Sequence, residues 1–584
     1  MHSANDSPEF LATAGAGRID RRRFMAYFTS AGLGGTLFPG VLWALGQGEV
    51  TKETIEQAEA IAGLEFTDEQ REEMVRGLNR NVASYEAVRK LELPNSVVPA
   101  VRFDPVVPGV RPPSTAVRAA GERMRRSDPG RVTRPADLEE AAFWPVTKLA
   151  ELIRTRQVTS RELTRMYLDR LKRYGPTLEC TITLTEERAL EQARRADEEI
   201  AAGRYRGPLH GIPWGVKDLL AVKGYPTTWG AEPYVDQVIE MDAAAVRRLD
   251  EAGAVLVAKL TVGALAMGDV WYGGKTRNPW NLEQGSSGSS AGSAAATVAG
   301  LVGFSLGTET LGSIVSPSTR CGATGLRPTF GRVSRHGAMA LSWSMDKIGP
   351  ICRSVEDCAL VFDAIHGADE HDPSSRDAPF VWDANIDVRG LRIGYLKSGF
   401  DDEPESEPAR EWRRMDREVL DVLRSLGVEL IPFELPGDLP VGALRLILHA
   451  ECAAAFDDLT RSGRDRMMEE RSSWPNTFRQ ARFIPAVEYI QANRARTLVM
   501  AALDEAMRDI DVFVTPSYAG DVLLMTNLTG QPAVVLPNGF RADGTPVSIS
   551  FIGNLWGEAE TLAVAKAYQD ATEFHLRRPP AFSG

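Results

Sequence analysis

Residues 285–300 read GSSGSSAGSAAATVAG, which by composition is a flexible Gly/Ser linker. The residues that follow contradict that reading. LVGFSLGTETLGSIVSPSTRCGATGLRPT, at 301–329, continues without a break into apolar and small residues and carries a further glycine-preceded serine, Ser313. Small side chains in a core-like stretch let the backbone approach a ligand closely. The stretch therefore reads as the floor of a site.

Working outward, GIPWGVKDLLAVKGYPTTWG (211–230) places Lys217 after an apolar, strand-like run. GAVLVAKL (253–260), LRIGYLKSG (391–399) and DVFVTPS (511–517) read as further buried strands, and VTKLAELIRTRQVTSRELTRMYLDRLKRY (146–174) reads as helical. Alternation of helix and strand from Pro145 onward predicts an α/β fold with a mostly mixed or parallel sheet. No fixed-period repeat is visible.

Composition narrows the function classes. With 43% hydrophobic and 25% charged residues, the 584-residue chain has globular values, which exclude a disordered chain or a polytopic membrane protein. A net charge of −12 offers no basic footprint, so no nucleic-acid partner is expected. The five cysteines and seven histidines are scattered, without CxxC or HExxH spacing, and no metal site is expected.

Three segments, around Lys217, Ser289 and Ser313, together resemble the amidase signature family. The resemblance runs from about residue 140 to the end and includes NPWNLEQGSSGSSAGSAAA (278–296), SLGTETLGSIVSPSTRCGATGLRPTFGRVSRHG (305–337), DKIGPICRSVEDCALVFDAI (346–365) and NLTGQPAVVLPNGFRADGTPVSISFIG (527–553). It implies the amidase signature fold, a mixed twisted β-sheet surrounded by helices, here with an N-terminal helical extension. It also implies the site. The nucleophile falls on Ser313, a bridging serine with a cis peptide on Ser289, and the general base on Lys217. An oxyanion hole falls on the N–H groups of Thr310, Leu311, Gly312 and Ser313, and substrate contacts on Met267, Gly288 and Ser290.

The chemistry explains these residue types. A serine hydroxyl is a weak nucleophile at neutral pH unless a base takes its proton as it attacks. Lysine is such a base only when neutral, and burial favours the neutral form. Ser289 relays the proton, and no cofactor is needed. The expected activity is hydrolysis of a small-molecule carboxylic amide to a carboxylate and an amine or ammonia through a Ser acyl-enzyme. Segments around residues 400–500 are expected to choose the amide.

The chain departs from the family at named positions. TDTGGSIR is TETLGSIV here (308–315), so Leu311 replaces a glycine and Val315 an arginine, and SSGG is SSAG at Ala291. In AKLTVGALAMGD (258–269), Gly263 and Ala264 stand where amidotransferase A subunits carry an acidic pair, which suits an uncharged substrate better than an aminoacylated tRNA. Two alternatives follow from the resemblance. One is an amidotransferase A-type subunit, which needs tRNA and a partner subunit. The other is a catalytically impaired member kept as a binding protein, with Leu311 and Val315 as its only support.

At the N-terminus, Arg21, Arg22 and Arg23 precede an uncharged run from Phe24 to Leu45 that contains four glycines and Pro39. This pattern resembles a twin-arginine export signal covering residues 1–46, and it predicts a periplasmic or secreted protein with no stable membrane insertion once the signal is removed. An uncleaved run would instead be a membrane anchor. Residues 47–135 read as two amphipathic helices, with Thr67 and Gln70 suiting a capping box, followed by an extended proline-rich arm. That pair faintly resembles the small C subunit of the tRNA-dependent amidotransferase. The catalytic domain is expected over 136–584.

Overall fold

The apolar runs form strands of one eleven-stranded sheet. The computed structural model describes residues 50–62, 64–89, 94–97, 101–106, 124–401, 406–468 and 472–583. The arginine-led N-terminal run lies outside them. The chain divides into two units at Pro94/Asn95.

The first unit holds two helices, Lys52–Ala62 and Asp68–Arg89. Thr67 caps the second helix reciprocally: its N–H donates to Gln70 Oε1 at 2.8 Å, and the Gln70 N–H donates to Thr67 Oγ1 at 3.3 Å. Arg71 pairs with Glu59 at 2.9 Å and ties the two helices together.

In the second unit the strands run, from one edge, Thr181–Leu184, Val255–Leu260, Pro213–Lys217, Phe304–Glu309, Lys347–Cys352, Thr324–Arg327, Ala533–Phe540, Pro546–Gly553, Val512–Pro516, Ile393–Leu396 and Leu430–Phe433. The first six come from residues before 353 and the last five from residues after 392. Chain order and sheet halves coincide. Pro213–Lys217 is parallel to both neighbours, whereas Lys347–Cys352 is antiparallel to both of its own, so the sheet is mixed.

The long helical run from Val146 divides into Val146–Arg154 and Ser160–Leu178. Arg156 turns with φ of 58°, and Thr159 with Glu162 forms a capping box that starts the second helix. Both helices bury an apolar stripe against the sheet. The Ala291–Val298 helix is buried on every side, because alanines, Gly292 and Ser293 let it lie directly on the strands. The Gly/Ser-rich run is therefore a packed strand-to-helix turn. Part of the proline-rich arm is pinned to loops of the sheet: Asn95 exchanges two hydrogen bonds with Ala340, and Asp104 pairs with Arg376 at 2.6 Å. Among the described residues, no helix is long and apolar enough to cross a membrane.

Candidate active site

Lys217 is the last residue of its strand and points its ammonium nitrogen into a set of hydroxyls. Nζ donates to Ser289 Oγ at 2.8 Å, Thr308 Oγ1 at 2.8 Å and Ser290 Oγ at 3.0 Å. Among the described residues, no carboxylate pairs with it. Burial pushes its pKa well below the ordinary lysine value, although the fields of Asp346 and Glu309 oppose the shift. Desolvation thus dominates, and it favours a neutral amine.

Ser289 follows a cis peptide at Gly288. The backbone is crowded here: a Cβ on Gly288 would stand 1.8 Å from the carbonyl oxygen of Gly268, so only glycine fits. Gly263 is held just as tightly. Its Cβ would lie 2.0 Å from the Gly268 oxygen and 2.2 Å from that of Met267. The absence of an acidic side chain at Gly263 therefore has a packing cause, independent of substrate charge.

Ser313 sits one segment away, and its carbonyl accepts from the Ser290 N–H at 3.2 Å. Gly312 turns the chain with φ of +82°, a conformation that L side chains rarely adopt. Among the described residues, no protein group accepts from the N–H of Leu311, Gly312 or Ser313. These donors remain available to a ligand oxygen. Just below, buried Glu309 accepts from the N–H groups of Ile314 (2.8 Å) and Val315 (3.0 Å), from Asn527 Nδ2 (2.8 Å) and from Arg327 (2.8 Å). Burial alone would raise its pKa, but the Arg327 guanidinium and the backbone donors bring it down to about 2. Arg327 supplies beside this loop the cation that Val315 does not.

Ser313 opens into a cavity of about 540 Å³. Met267, Gly288 and Leu311 line it beside the 309–315 loop, so the Leu311 side chain takes volume where a glycine would leave space. Ser290 does not line it: the residue is fully buried, and its hydroxyl is held between Lys217 and the Thr308 carbonyl, to which it donates at 3.1 Å. Ser290 therefore supports Lys217 from behind the cavity, which corrects the expectation of a substrate contact.

The far walls come from helix Arg445–Ala455, through Leu448 and His449, and from helix Trp474–Ala481, whose Trp474 indole donates to the Leu265 carbonyl at 2.9 Å. Leu523 and Leu524 add an apolar wall from outside the 400–500 region. Sequence reasoning does not single out Thr308 or Asp346. Thr308 accepts from Lys217, and Asp346 accepts from the Thr310 hydroxyl at 2.6 Å. Among the described residues there is no cluster of three or more His, Cys, Asp or Glu able to hold a metal ion.

Comparison with known proteins follows the same segments. The sequence model of the family described as Amidase matches residues 162–562. The A subunit of glutamyl-tRNA(Gln) amidotransferase from Moorella thermoacetica is 36% identical over 487 residues, covering 75% of this chain and 99% of that protein. Its counterpart from Roseiflexus sp. is 37% identical over 473 residues, covering 72% and 95%. Among solved structures, native peptide amidase from Stenotrophomonas maltophilia aligns with a TM-score of 0.67 at 31% identity, covering 76% of this chain and 100% of the peptide amidase.

Proposed function

Since the chain belongs to the amidase family, whose members act on amide C–N bonds, we propose that it hydrolyses a carboxylic amide to a carboxylate and an amine or ammonia through an acyl-enzyme on Ser313. The observation that carries this reading is Lys217, buried without a carboxylate partner among the described residues and hydrogen-bonded to Ser289.

Neutral Lys217 takes the Ser289 proton while Ser289 takes that of Ser313, and Ser313 Oγ bonds to the amide carbon. The oxygen that gains charge accepts from the free N–H groups of the 311–313 turn, each such donor contributing about 3 kcal/mol to the transition state. As the C–N bond breaks, Ser289 returns a proton to the leaving nitrogen and recovers one from Lys217. Water then attacks the ester by the same relay and releases the carboxylate. Ser313→Ala removes the only group in this scheme that becomes acylated. It is expected to abolish turnover and labelling by a fluorophosphonate probe, and full labelling of the variant would sink the assignment.

A second reading, an amidotransferase A-type subunit, is favoured by the identity to glutamyl-tRNA(Gln) amidotransferase A subunits. Amide hydrolysis by the purified chain alone supports the first reading, whereas a chain inert until a partner subunit is added supports the second. We also propose that Arg21 to Arg23 direct twin-arginine export, so that the chain works outside the cytoplasm on a small uncharged amide. Replacing those arginines with lysine should then hold the precursor inside the cell.

A further inference from the structure

One wall of the cavity and the nucleophile loop are joined by a hydrogen-bond chain that the reaction above does not use. Glu451 lies buried on helix Arg445–Ala455, next along the helix from Leu448 and His449, which line the cavity. Its carboxylate accepts four hydrogen bonds. One oxygen takes Ser342 Oγ (2.6 Å) and the Ser344 N–H (3.0 Å); the other takes Ser344 Oγ (2.7 Å) and the Tyr489 hydroxyl (2.8 Å).

The same short loop closes on Asp346. Its Oδ2 accepts from the N–H groups of Leu341 (2.8 Å) and Ser342 (3.0 Å), and its Oδ1 accepts from the Thr310 hydroxyl (2.6 Å). Thr310 opens the turn that ends at Ser313. From the other side Arg496 donates to Ser344 Oγ and to its carbonyl, both at 2.8 Å, so the loop has little room to move independently. The chain therefore runs from the helix that faces the substrate, through Glu451, Ser342 and Asp346, to the residue that begins the oxyanion turn.

We propose that Glu451 is a positioning residue that couples the substrate-facing helix to the oxyanion turn. An acyl group that fills the cavity seats the helix, and the bonds from Glu451 carry that placement to Thr310. Oxyanion donors act only when they meet the developing charge at hydrogen-bond distance, so a small displacement of the turn acts on kcat more than on binding. The proposal rests on the reading of Ser313 as the acylated residue.

The test measures kcat and KM separately, on the full chain, for anilides of increasing acyl size. In the wild type kcat rises as the acyl group fills the cavity. Glu451→Gln puts an NH2 group among donors; it should lower kcat roughly tenfold to a hundredfold, hold KM within about threefold and flatten the dependence of kcat on acyl size. The pH midpoint of kcat should stay where it is, because Lys217 is untouched. Combined with Thr310→Val, the loss should be no larger than that of the worse single variant, as expected for one unit. If Glu451→Gln fails to fold, Ser342→Ala cuts a single bond of the chain and carries the same expectations with smaller size.

Folded variants with unchanged kcat, a parallel shift of kcat and KM at every acyl size, or additive losses in the double variant each overturn the coupling. Fluorophosphonate labelling separates this from the parent reading. A wild type that labels on Ser313 while Glu451→Gln and Ser342→Ala keep wild-type kcat rejects the coupling alone. A wild type that neither labels nor hydrolyses any anilide, alone or with an amidotransferase partner subunit added, rejects the nucleophile, and the coupling with it.

Discussion

In the proposed mechanism, the Lys217 side chain sets both the chemistry and its pH range. Burial lowers its pKa, so at any given pH more of it is neutral than for a lysine in water. The sign follows: kcat/KM should be low in acid, rise as Lys217 loses its proton, and reach its plateau well below the ordinary lysine value of 10.5. A pH profile flat across that range, with chemistry rate-limiting, would exclude a lysine base. Leu311 gives a second residue-scale prediction. Its side chain lines the cavity, so Leu311→Gly should shift preference toward bulkier acyl groups by about 1–3 kcal/mol in relative kcat/KM. Parallel anilide profiles for the two proteins would show that the side chain does not set acyl size. Lys217, Ser289 and Ser313 are singled out in the sequence through the family resemblance of their three segments, and the structure brings Lys217 within 2.8 Å of Ser289. Thr308 is not, since a threonine in a strand is unremarkable, and the buried position of Ser290 behind Lys217 depends on the three-dimensional packing.

Among the elements, the segment that follows Leu260 is tightly constrained. Gly263 and Gly288 both press against the carbonyl of Gly268, so a side chain on either pushes the same backbone. Gly263→Ala is therefore expected to displace the Ser289 segment and to lower kcat and thermal midpoint together. Gly437→Ala is the control, because a Cβ there meets nothing within 4 Å, and its effect should stay within about 0.5 kcal/mol. Equal behaviour of the two variants in activity assays and thermal melts would refute the packing argument. The elements themselves are mostly readable from the sequence. The strands 255–260, 393–396 and 512–516 lie inside the runs identified by their apolar character. The break between helices Val146–Arg154 and Ser160–Leu178 is hidden inside one continuous helical pattern, although Thr159 with Glu162 carries the T-x-x-E signature of a helix start. The walls at 445–481 have no such mark, because their helices line the cavity with an ordinary leucine, Leu448, and a tryptophan, Trp474.

For the whole molecule, the buried Glu309 joins elements that are distant in sequence. It pairs with Arg327 and holds Asn527, while Arg327 also donates to Thr526 Oγ1 at 2.9 Å and to the Gln531 carbonyl at 3.1 Å. A carboxyl whose folded pKa is depressed contributes its full stability above the unfolded value, 4.5, and loses it as pH falls through the folded value, about 2. Urea unfolding of wild type and Glu309→Gln should thus differ by a few kcal/mol at neutral pH and converge between pH 4.5 and 2. A constant gap through that window would mean that the carboxylate charge is not what stabilises the site. Strand–helix alternation foretells a mixed α/β sheet. The order of its strands stays hidden, because pairings such as Arg327 with Ala533 depend on contacts far apart in the chain.

That strand order has a further consequence for how such a protein can be altered. Lys217, Ser289 and Ser313 belong to the stretch that builds one half of the sheet, whereas Leu448, Trp474 and Leu523 are supplied by the stretch that builds the other. A crossover between residues 352 and 393 divides the gene between these halves. Recombination there would exchange the cavity walls supplied after residue 392 while Met267, Gly288 and Leu311 stay with the Lys217, Ser289 and Ser313 segments, provided the seam between strands Thr324–Arg327 and Ala533–Phe540 still zips.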